Sequence, residues 1–112
     1  HYDELRAMEC ELRALRDANG HPYYLVPLPW PKPKHRADGK RLPASYANFL
    51  IINGAVLLPT YRDAADAQAV ARIQECFPDR EVVAIDCVPL IQQFGSLHCI
   101  AMQLPASVLP PL

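Results

Sequence analysis

One pair of residues near the end of this sequence has the makings of chemistry: His98 and Cys99, inside FGSLHCIAMQLP over 94–105. A thiolate is a strong nucleophile and a soft metal ligand, and an imidazole is a usual base for the first role. The sequence holds four cysteines, Cys10, Cys76, Cys87 and Cys99, and four histidines, His1, His21, His35 and His98. No CxxC pair occurs, so the spacing of a structural zinc site is missing and no metal is expected. No secretory signal opens the sequence, which argues against a disulfide framework. The alternation in SLHCIAMQL over 96–104 predicts a last strand. Neighbouring strand side chains point to opposite faces, which would separate His98 from Cys99. The ordinary fate of Cys99 is then a buried free thiol in a core strand. Gly95 pulls the other way, because a glycine lets backbone approach a ligand closely where a strand begins. The residues leave both readings open.

The elements that must position this pair follow from period and punctuation. In DELRAMECELRALRDANG (3–20), Leu5, Met8, Leu12 and Leu15 make one helical stripe, with Asn19–Gly20 suited to a C-cap. PYYLVPL predicts a short strand over 22–28, leaving into a proline-rich, basic loop over 29–44. In SYANFLIINGAVLLPTY (45–61) two apolar runs flank Asn53–Gly54, the pair that a type I′ turn needs. Both arms are apolar at nearly every position, which predicts burial on both faces. RDAADAQAVARIQECFPDR (62–80) predicts a helix capped by Asp63, with Ala69, Ile73 and Phe77 on its apolar face and Pro78 ending it. EVVAIDCV (81–88) reads as a strand, VPLIQQFG (88–95) as a turn or short helix, and 105–112 as a proline-marked tail. Strand, helix and strand over 55–85 form a βαβ unit, so the class is α/β with a mixed sheet.

Composition sets the outer limits. The 112 residues suit one small domain, and an apolar share of 51% supports a core. A net charge of -1 gives no electrostatic case for nucleic acid or an anionic membrane, and KPKHRADGKR (32–41) reads as a solvated loop. No apolar run reaches the roughly 18 residues of a spanning helix, and a cytoplasmic location is expected. The sequence starts at His1 and reads as a piece of something longer. The apolar hairpin in so small a chain predicts association with itself or a partner.

Four stretches in order carry a resemblance. RLPASYANFLIINGAVLLPTYRDAAD matches a pattern of Ser-Tyr-x-Asn-Phe, Asn-Gly-x-Val and Asp-x-x-Asp, and GSLHCIAMQLP matches one built on His-Cys-Ile. NGHPYYLVPLPWP and CFPDREVVAID match a Gly turn leading to Leu-Pro-x-Pro and a Phe-Pro-x-Arg-x-Val-Val motif. With these, nearly the whole sequence resembles the C-terminal part of agmatine deiminases and the related Porphyromonas-type peptidyl-arginine deiminases. The resemblance implies a pentein-like, five-bladed α/β propeller, of which this chain would supply the C-terminal βαβ-type module or modules. It implies that Cys99 attacks the carbon of a small guanidino substrate such as agmatine, with the Gly95 backbone beside it. Agmatine and water would give N-carbamoylputrescine and ammonia without cofactor or metal. The base and the substrate carboxylates would lie upstream of His1, so the chain would be inactive alone and would pair with those modules. Its thiol would be more accessible than Cys87, with the pKa of an ordinary cysteine. Gln93–Phe94 stand where the family has glycines, and Ala101–Met102 where it has Thr-Gln. The alternative is a non-catalytic module carrying a vestigial cysteine.

Overall fold

The computed structural model describes residues 1–108, so the part of the expected tail from 109 on lies outside the described residues. Its elements run α1 (Tyr2–Ala14), β1 (Lys34–His35), β2 (Arg41–Leu42), β3 (Leu50–Ile52), β4 (Ala55–Thr60), α2 (Asp66–Cys76) and β5 (Glu81–Asp86). Two 3-10 turns follow, Leu90–Gln93 and His98–Ile100. β3 and β4 pair antiparallel, β4 and β5 pair parallel, and α2 makes the crossover between the parallel pair. The mixed α/β class and the βαβ unit stand as the sequence predicts.

β4 is the spine of the sheet. Val56 and Leu58 are fully buried, and they join Leu42, Tyr46, Tyr61, Ala69, Ile73, Cys87 and Ile91 in one core. Pro59 sits inside this central strand, a position that normally loses a ladder bond. The Gly54 and Thr60 carbonyls accept the Glu81 and Cys87 N–H groups, so even-numbered groups of β4 face β5. Pro59 therefore faces the other side, and β3 pairs only with Ala55, Val56 and Leu57. Its missing N–H costs the sheet nothing.

Several expectations are corrected. The hairpin forms, with Ile52 opposite Ala55, but of its turn residues only Gly54 takes a positive φ (75°), so the turn is not type I′. β4 is covered on both faces, whereas Ile51 and Ile52 of β3 stay exposed because β3 is the sheet edge. Residues 22–28 form no strand. A single bridge joins Arg16 and Pro22, and the prolines that follow offer no donors to a ladder. α1 stops at Ala14, not at Asn19. Asp17 Oδ1 accepts the N–H groups of Asn19 and His21, and this local turn, with Gly20 at φ 81°, competes with continued helix. The apolar stripe of α1 exists but is uncovered: Leu5, Met8, Leu12 and Leu15 are all exposed.

The basic run stays largely exposed, as its charge predicts, but it folds as a hairpin and not as an irregular loop. β1 and β2 pair across an Asp38–Gly39 turn with Gly39 at φ 82°. Asp63 anchors this hairpin and does not cap α2. Its Oδ2 accepts the Lys32 N–H at 2.9 Å and lies 3.2 Å from Lys34 Nζ. Asp66 instead organises the approach to α2, accepting the Tyr61 and Asp63 N–H groups and the Tyr46 hydroxyl. Hydrogen bonds from the Ala65 and Lys32 N–H groups, with help from Lys34, hold the Asp63 carboxyl below its usual range.

Candidate active site

The C-terminal ends of β4 and β5 point the same way, the end at which open α/β sheets place their sites. Tyr61 follows β4 and Cys87 follows β5, and both are fully buried. The Tyr61 hydroxyl donates to the Ser45 carbonyl at 2.9 Å and shares a 2.7 Å hydrogen bond with Ser96 Oγ. One buried phenol thus ties the turn before β3 to the segment that carries Cys99.

That segment is not a strand. His98, Cys99 and Ile100 form a 3-10 turn, and the cause is Asn48. Asn48 Oδ1 accepts the His98 N–H at 2.6 Å and the Cys99 N–H at 3.3 Å, and its own carbonyl accepts the His98 N–H at 3.3 Å. These are donors that a strand would present to a neighbour. Asn48 Nδ2 in turn donates to Cys99 Sγ at 3.2 Å. A single carboxamide clamps the turn and points a donor at its sulfur.

Cys99 is exposed and Cys87 is buried, the order of accessibility expected from the sequence. The expectation of an ordinary thiol fails. The Asn48 amide, and then the Ser96 backbone, stabilise the charged sulfur and pull the Cys99 pKa below its usual value. Burial pushes the Cys87 thiol up. Gly95 is buried against the site. A Cβ there would stand 3.1 Å from Cys99 Cβ and 2.9 Å from Gln93 Nε2, so no other residue fits without movement. Gln93 Nε2 also donates to the Gly95 carbonyl at 2.8 Å.

His98 is exposed on the same turn, and among the described residues no imidazole bonds the Cys99 sulfur. The carboxylates near this end of the sheet are already engaged. Asp86 takes Arg62 Nε and Nη2 at 2.9 and 2.7 Å, Asp63 holds Lys34, and Asp66 holds Tyr46. Among the described residues no group of three His, Cys, Asp or Glu side chains is placed to hold a metal ion. The arrangement supplies an exposed thiol with an amide donor beside it. Sequence reasoning gave Asn48 no role; the signal available was an Asn in Ser-Tyr-Ala-Asn-Phe directly before the hairpin.

Comparison with known proteins places this chain in a family. The family described as Porphyromonas-type peptidyl-arginine deiminase matches residues 1–105. An agmatine deiminase from Pseudomonas putida is 36% identical over 114 residues, covering 87% of this chain and 31% of the relative. A crystal structure from Porphyromonas gingivalis, described as a candidate arginine deiminase, superposes with a TM-score of 0.89 at 57% identity over 95% of this chain and 31% of that one. A C. jejuni agmatine deiminase, solved as a cysteine-to-serine variant with substrate bound, superposes with a TM-score of 0.68 at 33% identity over 84% of this chain and 26% of that one. The chain spans about a third of the length of these relatives, and the pentein-like class stands.

Proposed function

Because the chain belongs to the Porphyromonas-type peptidyl-arginine deiminase family, we propose that Cys99 is the nucleophile of a guanidino-group hydrolase whose substrate is agmatine. The observation that carries this reading is the Asn48 amide set against an exposed thiol at the C-terminal ends of two parallel strands. Relatives named as agmatine deiminases support the choice of substrate.

A guanidinium carbon is resonance-stabilised and a poor electrophile, so splitting its hydrolysis into two steps through a thiolate helps. The Cys99 thiolate attacks that carbon. A proton passes to one terminal nitrogen, the C–N bond breaks, and ammonia leaves. Cys99 then holds an amidino thioether. Water attacks the same carbon, the C–S bond breaks, and the thiolate returns as the ureido product departs. No electrons change hands. Asn48 Nδ2 steadies the sulfur whenever it is anionic, before attack and after release. The Gly95 backbone lies beside the cysteine.

The proton carrier and the carboxylates that hold the substrate cation belong, on this reading, to sequence outside the 112 residues. Support comes from Asp63, Asp66 and Asp86, each already engaged. The uncovered α1 stripe, with the exposed Trp30, fits a surface that packs against those other modules.

The test is product stoichiometry. The protein carrying all the sequence its gene encodes releases one ammonia and one ureido group per agmatine consumed, and the 112-residue chain releases none above its Cys99→Ala variant. Agmatine left intact by the complete protein, with peptidyl-arginine converted in a parallel reaction, overturns the substrate. Neither substrate converted overturns the reading.

A further inference from the structure

Arg36 and Phe94 take no part in the chemistry above, yet they meet beside it. The Arg36 guanidinium carbon lies 4.8 Å from the centre of the Phe94 ring. Arg36 is fixed at the turn of the β1–β2 hairpin, where its N–H bonds the Lys40 carbonyl and its carbonyl accepts the Gly39 N–H, both at 2.9 Å. The Asp38 carboxylate also holds its guanidinium. Phe94 closes the Leu90–Gln93 turn at φ 66° and ψ 26°, the left-handed region that favours glycine. Phe94 is 46% exposed, so the core does not hold it there. The next residue is Gly95, where a Cβ would stand 3.1 Å from Cys99 Cβ.

We propose that the Arg36–Phe94 stack is a latch that holds the Phe94–Gly95 turn against Cys99, which makes Arg36 a positioning residue for the thiol. The proposal rests on the reading of Cys99 as the nucleophile. A left-handed phenylalanine is disfavoured by an amount comparable to what an exposed cation–π contact returns, so the stack decides whether the turn stays in place. Glycine at the same position has no such strain to offset. Arg36 therefore matters while Phe94 is present and ceases to matter once Phe94 is replaced by glycine. The basic hairpin thereby serves the site by carrying the cation to the turn.

The experiment is timed iodoacetamide labelling with peptide mapping across pH, in the protein carrying all the sequence its gene encodes. Of the titratable groups, Tyr61 senses the Cys99 charge and His98 precedes it in the chain, and both stay unchanged in every variant. Arg36→Ala moves the Cys99 profile up toward that of a free thiol and slows its labelling near neutral pH by about threefold, the effect of half a pKa unit. Arg36→Lys keeps a cation over the ring and stays close to wild type. In a Phe94→Gly background, Arg36→Ala adds nothing. Buried Cys87 stays unlabelled throughout, which separates a moved turn from an unfolded one. A lowered wild-type profile that Arg36→Ala leaves in place overturns the latch alone. So does an equal shift in the Phe94→Gly background, or a shift accompanied by Cys87 labelling. A wild-type Cys99 with the profile of a free thiol overturns the latch and the activated-thiol reading together.

Discussion

Cys99→Ser lowers agmatine turnover by at least about 10³-fold, the scale lost when a covalent nucleophile is removed from a site whose residues act as a unit. Serine keeps nearly the same shape and still meets the Asn48 amide. It differs in acidity: a hydroxyl beside a neutral amide carries almost no alkoxide near pH 7, whereas the Cys99 thiol is already lowered. Because the loss lies in the covalent step, agmatine binding survives in the variant. The measurement is kcat beside a direct Kd: kcat collapses and Kd moves by less than about threefold. A comparable loss of binding would mean that Cys99 holds substrate and does not attack it.

Asn48→Ala gives the second largest loss, about 10- to 100-fold in kcat at pH 7, the range of a missing charge-stabilising donor plus a loosened turn. The sign of its pH dependence follows from the thiol. Asn48 lowers the Cys99 pKa in the folded protein, so its removal raises that pKa. The rising limb of the activity profile moves to higher pH, and the deficit shrinks as pH rises past the new value. Asn48→Asp separates the two jobs of this side chain. The aspartate keeps an acceptor for the His98 and Cys99 N–H groups but puts negative charge where Nδ2 faced the sulfur. Its limb moves further than that of the alanine variant, since repulsion adds to a lost donor. An unshifted limb in both variants would leave Asn48 as a purely mechanical clamp.

The sequence made the sheet legible and the cysteine turn illegible, for one physical reason. β3, β4, α2 and β5 are specified locally, by runs of apolar residues, an Asn-Gly turn and a helical period ended by Pro78. The stretch 96–104 alternates well enough for a strand, but no local signal shows that Asn48, far upstream, takes the N–H groups of His98 and Cys99. A side-chain clamp of this kind leaves no period. Residues 22–28 failed for a different reason: Pro22 and Pro27 remove donors that a ladder needs, and the stretch makes a single bridge, to Arg16. The basic run was legible as exposed but not as a hairpin, because its anchors lie far along the sequence: Asp63 holds it at one end and Phe94 meets its Arg36 at the other. The stripe of α1 was readable as a face; nothing in its spacing tells what covers it. Cys99 itself was singled out by its His-Cys setting and by resemblance, since a lone thiol in an apolar run has no signature of its own.

The proposed chemistry turns on a covalent bond between Cys99 and the guanidinium carbon of agmatine. Rapid acid quenching of the complete protein during turnover, followed by mass analysis of the Cys99 peptide, looks for that bond itself. The expected species is an adduct on Cys99 equal to agmatine less ammonia, which decays as the ureido product accumulates and never forms in the Cys99→Ser variant. Turnover at a measurable rate with Cys99 unmodified at every quench time, or with the adduct on Cys10, Cys76 or Cys87 instead, would refute the covalent route through Cys99.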